Sequence, residues 1–151
     1  MSDSDVIALN RLAYRYAAAV DACDETALAA VFMPDGRLRS YLPEAEAPFA
    51  DLRGSEQLAG IPRTMRTMYR ATAHLMTNHL VEVDGDTASG TVLCTARHLS
   101  IDRDAPDVLV VVIRYEDRYQ RSADGWRIAD RQIRFLWSER NEVVPSEGGR
   151  R

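Results

Sequence analysis

The sequence contains no lysine, and all 19 of its basic residues are arginine. This absence excludes Schiff-base chemistry, which needs a lysine amine, and a Walker-type phosphate-binding loop. Gly-x-Ser-x-Gly and Gly-x-Gly-x-x-Gly motifs are also absent, so the usual signals of serine hydrolases and dinucleotide-binding proteins are missing. Polar chemistry must therefore come from carboxylates, tyrosines, arginines and three histidines.

Cysteine is scarce, and long apolar runs are missing. Cys23 and Cys94 are far apart in the chain and form neither a CxxC motif nor a metal-binding cluster, so we expect no metal site. Apolar runs such as residues 108–113 are much shorter than the ~20 residues that span a bilayer. The N-terminus lacks the basic and apolar regions of a signal peptide. A net charge of −4 gives no basic surface for nucleic acid. We expect a cytoplasmic protein without membrane or nucleic-acid partners.

The length of 151 residues predicts one domain. We place it at residues 1–140, followed by a mobile tail at 141–151 that contains proline and glycine. Apolar periodicity predicts helices at 5–20, 24–31 and 55–69, with Pro34-Asp35-Gly36 as a turn before a short strand at 37–42. From Ala73 the period changes to two, which predicts strands at 73–83, 87–101, 108–121 and 126–137. Helices followed by a hairpin-linked antiparallel sheet indicate an α+β fold.

Strand alternation predicts which polar residues face the core. In the third long strand, Asp117 shares a face with Tyr115 and with apolar residues, where a carboxylate must be paired or protonated. A structural ion pair with Arg131 or Arg134 is the alternative to a functional role. The opposite face begins with Val108, Val110 and Val112. A strand that is apolar on both faces needs cover on both, so we expect these valines to pack against a partner subunit.

The histidines can converge on one cavity if their strands are neighbours. His74 and Asn78 share one face of the first long strand and His79 lies on the other, while His98 ends a small apolar row on the next strand. The alternative is that each histidine has a structural role in the core or at its edge, with its hydrogen bonds made inside the fold. Asp21 directly follows the buried stripe of the first helix, which also carries Tyr16.

Three segments in order resemble the SnoaL-like family of the nuclear-transport-factor-two-like superfamily. They are residues 16–36 (YAAAVDACD, then LAAVFMPDG), residues 74–88 (HLMTNHLVEVDGDTA) and the closing pair YEDRY and DGWRI with Arg131. The resemblance covers residues 5–137 and is nearest the branch with scytalone dehydratase and the bile-acid dehydratases. It implies a cone-shaped, curved antiparallel sheet with three N-terminal helices closing a pocket. It also implies a homo-oligomer, dimer or trimer, that uses no metal or organic cofactor.

The resemblance also implies roles for individual residues. Tyr16, Asp21 and His74 match the family's catalytic positions, and His98 falls near a second histidine. Ser40 falls near the position where scytalone dehydratase has a tyrosine, and Tyr41 is adjacent to it. The residues expected to bind the substrate are Tyr41, Asn78, His98, Tyr115 and Asp117. The chemistry agrees, because histidine suits a base near neutral pH and a carboxylate can hold its tautomer.

The expected function is that of a cofactor-free lyase of the dehydratase type. The substrate expected is a small hydrophobic carbonyl compound, polyketide-like or steroid-like, in an apolar pocket. Two alternatives stay open at this point. An isomerase or cyclase would use the same proton abstraction, and a non-catalytic small-molecule-binding protein would share the fold without the reaction.

Overall fold

The computed structural model describes residues 3–102 and 105–143. Within them the helices are α1 (Asp3–Asp21), α2 (Glu25–Val31) and α3 (Gly54–Met68). The strands are β1 (Phe32–Tyr41), β2 (Ala50–Arg53), β3 (Tyr69–Asp84), β4 (Thr87–Ser100), β5 (Asp107–Ser122) and β6 (Gly125–Glu142). They form one curved, unclosed sheet in the order β2-β1-β6-β5-β4-β3. The predicted α+β fold is confirmed, with one difference: β1 and β6 pair in parallel, whereas the other neighbours are antiparallel.

The helices cover the inner face of the sheet. The apolar stripe of α1, which includes Leu9, Leu12 and Val20, is buried, and α1 packs mainly against β3. α2 begins after Asp24, whose side chain accepts a hydrogen bond from the Ala27 backbone N–H at 2.9 Å. α1 itself ends at Asp21, because Cys23 takes a left-handed conformation at φ +54° and the Asp24 backbone N–H donates back to the Ala19 carbonyl at 2.9 Å.

The first strand differs from the sequence-based expectation. Pro34-Asp35-Gly36 lies inside β1 as a bulge instead of a turn, since Phe32 pairs with Ile128 and Arg37 with Asp130. A Cβ atom at Gly36 would lie 2.9 Å from the Met33 carbonyl oxygen, so this close approach requires glycine. The short strand β2, which pairs with β1, was not predicted.

A bulge in β3 reverses the alternation of its side chains. The pairing with β4 shifts between Thr77 and Leu80, and Asn78 has φ +49°. His74 precedes the bulge and His79 follows it, yet both are turned inward, while Asn78 is exposed. The prediction that Asn78 shares the face of His74 is therefore wrong, because the extra residue changes the phase of the strand.

Two of the three outward valines of β5 are already buried within one chain, whereas Val108 is half-buried. Val110 is 4% exposed and Val112 is 9% exposed in the isolated chain, so their burial needs no partner subunit. The last strand is longer than predicted and ends at Glu142, which places the first two residues of the expected tail in β6. Residues 144–151 of that tail lie outside the described residues.

Candidate active site

Asp21 and His74 form a hydrogen-bonded pair where the end of α1 meets β3. The Asp21 Oδ1 atom lies 2.7 Å from His74 Nδ1, and its Oδ2 atom accepts the His74 backbone N–H at 2.9 Å. The Thr72 hydroxyl donates to Oδ1 at 2.8 Å. Burial acts to raise the pKa of Asp21, but the hydrogen bonds from His74 and Thr72 outweigh it and hold that pKa below its ordinary value.

The ionised carboxylate selects one tautomer of the histidine. A carboxylate only accepts hydrogen bonds, so the proton of a neutral His74 ring must be on Nδ1. The other ring nitrogen, Nε2, is then left with a free lone pair. The His74 side chain is almost fully buried and lines a cavity.

The cavity has a volume of about 340 Å³ and lies between the helices and the sheet. Aliphatic side chains supply much of its wall: Val20, Leu38, Leu52, Ile61, Val111 and Ile133. Polar atoms come from Tyr16, Ser40, Thr64, His98 and Tyr115, together with His74 and Tyr69. Among the described residues that line it, none is aspartate, glutamate, arginine or lysine, so the cavity suits an uncharged ligand.

Tyr16 and Tyr115 meet at the cavity and flank a buried arginine. Their rings contact edge to face with centroids 5.8 Å apart. The Arg131 guanidinium carbon lies 4.1 Å from the centroid of Tyr16 and 4.4 Å from that of Tyr115. Burial raises the pKa of both hydroxyls, and the charge of Arg131 only partly offsets this. Both tyrosines are therefore protonated hydrogen-bond donors near neutral pH.

Asp117 neutralises Arg131 and lies outside the cavity lining. It accepts two hydrogen bonds from the guanidinium at 2.8 and 2.6 Å and a third from the Tyr119 hydroxyl at 2.7 Å. Both partners of the ion pair are buried. The structure thus favours the ion-pair alternative for Asp117 over the substrate contact, because its carboxylate oxygens are already engaged.

His98 lies beside His74 in the wall of the same cavity. The two rings contact edge to face at 5.6 Å, and Tyr69 stacks on His98 at 4.6 Å. Burial, followed by the nearby His74, lowers the pKa of His98 to about 4, so its ring is neutral at pH 7. The Nδ1 atom of His98 is buried and has no hydrogen-bond partner among the described residues.

Two further predicted residues lie away from the cavity lining. Asn78 is exposed at the β3 bulge, on a small surface pocket with His79. Tyr41 is buried, but its hydroxyl is near Arg39 and its ring lies under Arg134, while the adjacent Ser40 lines the cavity. Alternation in β1 explains this difference, because neighbouring residues of a strand face opposite sides.

Sequence reasoning missed several cavity residues on α3 and beside β2. Phe49, Met65 and Met68 carry no chemical motif, and their role as lining became visible only from the fold. Among the described residues, no group of three or more histidine, cysteine, aspartate and glutamate side chains is placed to hold a metal ion. None of the helices in residues 3–102 and 105–143 has the length and apolar character to cross a membrane.

Comparisons with known proteins place the chain in a family. The uncharacterized protein Rv2910c of Mycobacterium tuberculosis is 30% identical over 128 residues, which cover 85% of this chain and 83% of that protein. The crystal structure of Kfla4162 from Kribbella flavida has a TM-score of 0.78 at 24% identity, covering 91% of this chain and 94% of that one. A Novosphingobium aromaticivorans protein, provisionally assigned as a scytalone dehydratase, has a TM-score of 0.76 at 21% identity and full coverage of both chains. The model of the SnoaL-like domain matches residues 4–132, and the chain therefore belongs to the SnoaL-like family.

Proposed function

We propose that this chain is a lyase of the dehydratase type, which eliminates water from a small, uncharged, hydrophobic carbonyl compound. The observation that carries the proposal is the 2.7 Å contact between Asp21 and His74 at the wall of an apolar cavity. The provisional assignment of a structural neighbour as a scytalone dehydratase agrees with an elimination. At 21% identity, the structural similarity to that neighbour supports the fold alone, so the proposed reaction rests on the geometry of the site.

In the proposed reaction, His74 is the base. Its Nε2 lone pair takes a proton from the carbon next to the carbonyl, and Asp21 stabilises the imidazolium that forms. The electron pair of the broken C–H bond moves toward the carbonyl oxygen as an enolate. The Asp21 carboxylate is fixed by the Thr72 hydroxyl and the His74 backbone N–H while it accepts from the His74 ring, so no rearrangement of the pair is needed during the proton transfer.

Tyr16 and Tyr115 are the proposed donors to the carbonyl oxygen. Their hydroxyls stay protonated at neutral pH and can stabilise negative charge as it develops on that oxygen. Collapse of the enolate then breaks the bond to the β-hydroxyl group. The leaving hydroxide takes the proton from the His74 imidazolium and departs as water, which restores the neutral base.

His98 is proposed to bind a polar group of the substrate. Its neutral ring is part of the cavity lining, and its Nδ1 atom is buried without a hydrogen bond in the described structure. In this proposal the ring turns toward the cavity so that a ligand hydroxyl satisfies Nδ1, since leaving a buried polar atom unsatisfied costs about 1–3 kcal/mol. The cavity as a whole then favours a compact ring system that carries a carbonyl and a hydroxyl group.

The test uses 3-hydroxy-1-tetralone, an uncharged bicyclic β-hydroxy ketone whose dehydration gives 1-naphthol. Turnover is followed by naphthol absorbance, and 1-tetralone binding by calorimetry. We expect His74→Ala to lower kcat by about 10²- to 10⁴-fold with little change in 1-tetralone affinity, since a base acts on the transition state. His79→Gln is the matched control, because His79 is inward but binds Asn10 and Tyr119 outside the cavity lining.

Other outcomes separate the two alternatives. The first outcome is that the wild type exchanges the α-hydrogens of 1-tetralone with deuterated solvent, that His74→Ala does not, and that 3-hydroxy-1-tetralone is not dehydrated. This outcome would favour an isomerase or cyclase. Binding of 1-tetralone with neither exchange nor turnover would favour a non-catalytic binding protein. Unchanged turnover in His74→Ala would contradict the mechanism proposed for the pair.

We also propose that the protein assembles as a homo-oligomer through the outer face of the sheet. Large apolar side chains are exposed there, among them Leu75 on β3 and Trp137 on β6.

A further inference from the structure

Two of the residues that line the cavity are also largely exposed to solvent. Phe49, just before β2, is 58% exposed, and Met68, at the end of α3, is 53% exposed. We call this pair the rim, because a residue that both lines a cavity and faces water must lie at its opening. A single exposed apolar residue is ordinary, but two in the lining of one cavity offer apolar surface where the cavity meets water.

The rim is anchored from within. The Phe49 ring packs against Phe135, a half-buried residue of β6, with centroids 5.8 Å apart and a tilt of 32°. One side of the Phe49 ring is thus held by the cavity wall, while more than half of the residue remains in contact with water. A group leaving the cavity at this point would cover the exposed surface without displacing a core contact.

Polar and apolar groups are distributed unevenly in the cavity. The His74 and His98 rings and the hydroxyls of Tyr16 and Tyr115 belong to buried side chains. Thr64 is the exposed polar residue of the lining, and its hydroxyl already donates to the Gly60 carbonyl at 3.2 Å. A ligand therefore finds hydrogen-bond partners inside and apolar contacts at the rim.

We propose that the substrate carries an apolar substituent, such as an alkyl chain, which leaves the cavity between Phe49 and Met68. This inference rests on the proposed function, because it assumes that the carbonyl end of the same molecule is held at His74. The ring system fills the 340 Å³ cavity, and the substituent covers the rim. The substrate class is then an uncharged, alkylated cyclic ketone with its chain directed away from the polar end.

The test measures how affinity depends on chain length. Dissociation constants of 1-tetralone and its 6-methyl, 6-propyl and 6-hexyl derivatives are determined by calorimetry. We expect each of the first few methylenes to tighten binding by about two- to fourfold, because full burial of a methylene is worth ~0.8 kcal/mol and the rim buries only part of each. In the Phe49→Ala/Met68→Ala double variant, the ratio between the affinities of the hexyl derivative and of unsubstituted 1-tetralone should fall to about one.

Ile7→Ala is the matched control, since Ile7 is an apolar residue of similar exposure on α1 and does not line this cavity. This variant should keep the chain-length dependence of the wild type. If 1-tetralone binds but the wild type shows no dependence on chain length, the rim proposal is overturned and the proposed function stands. If the dependence persists in the double variant, the chain leaves elsewhere and the proposal is also overturned. Failure of every tetralone to bind would instead count against the proposed function.

A protein partner at the rim is the competing explanation. If the wild type is a larger species in sedimentation than the Phe49→Ala/Met68→Ala variant in the absence of ligand, the rim is a contact between chains. That result would overturn the assignment of the rim to a ligand. We expect both proteins to sediment alike.

Discussion

At the scale of single residues, the two cavity histidines have opposite surroundings. His74 has an ionised partner, because the Asp21 carboxylate lies against its Nδ1 atom. His98 has aromatic neighbours instead, Tyr69 and His74, and its Nδ1 atom has no partner among the described residues. A charge on the His98 ring would therefore have no carboxylate against it, and burial with the nearby His74 lowers the pKa of that ring.

The neutral state of His98 predicts a pH dependence of stability. Its folded-state pKa is lowered to about 4, below the ordinary ~6.5 of the unfolded chain. Between these values the unfolded state binds a proton that the folded state excludes, so the free energy of unfolding falls as pH drops from about 6.5 to 4. The loss attributable to His98 reaches at most about 3 kcal/mol and levels off at lower pH.

The measurement is urea unfolding of the wild type and His98→Gln at pH 7, 6, 5 and 4. Glutamine does not titrate, so the variant should lose less stability over this range than the wild type. Asp21 and His79 also have shifted pKa values, but they are present in both proteins and cancel in the comparison. Parallel stability curves for the two proteins would show that His98 does not resist protonation in the folded state.

The sequence could predict some of these residues but not others. Asp21 and His74 were predicted from the end of an apolar helical stripe and from strand parity, and both signals are local. Asp117 was recognised as an unusual inward carboxylate, but its partner could not be chosen between Arg131 and Arg134. The choice depends on the pairing of β5 with β6, where Asp117 lies opposite Arg131.

At the scale of elements, the β3 bulge is the reason that His74 before it and His79 after it are both turned inward. The alternation of inward and outward side chains predicted from the sequence is correct as far as Met76 and wrong at Asn78. The extra residue in the bulge exchanges the inward and outward positions that follow it. Glycine is the usual marker of such irregularities, and β3 contains none. The one available signal was asparagine, which tolerates a left-handed backbone better than other non-glycine residues.

The bulge makes a testable prediction for Asn78. Its φ of +49° strains β-branched residues, so Asn78→Val should lower the free energy of unfolding by about 1–2 kcal/mol. Asn78→Gly is the matched comparison and should stay within about 0.5 kcal/mol of the wild type, because glycine adopts this conformation freely. Urea unfolding at pH 7 measures both. Equal stability of the valine and glycine variants would mean that the left-handed conformation is not required at this position.

At the scale of the whole molecule, an apolar row crosses the outer face of the sheet. The strand register aligns Leu75 with Thr95, Thr95 with Val112, and Val112 with Trp137. The middle of this row is shielded within one chain, whereas Leu75 at one end is 50% exposed and Trp137 at the other is 55% exposed. The sequence indicated this face correctly as apolar, but two of the three valines that it pointed to, Val110 and Val112, are already buried within the single chain.

This arrangement changes how the proposed assembly should be tested. Val110→Arg would place a charge at a site buried in the single chain, so unfolding and dissociation could not be separated. Trp137→Glu changes an exposed residue and should leave the fold of the single chain intact. We expect the wild type to be a dimer or trimer at micromolar concentration by light scattering, and Trp137→Glu to be monomeric, because a charge in an apolar contact between copies would lose its hydration.

The control is Ile7→Glu, which makes a similar change at an exposed apolar residue on α1, on the helical side of the molecule. This variant should keep the oligomeric state of the wild type. Circular dichroism and 1-tetralone affinity should be the same in all three proteins, since Trp137 does not line the cavity. A wild type that remains monomeric at micromolar concentration would refute the assembly. Dissociation by Ile7→Glu instead of Trp137→Glu would move the interface from the sheet to the helices, because the row from Leu75 to Trp137 would then have no role in holding the copies together.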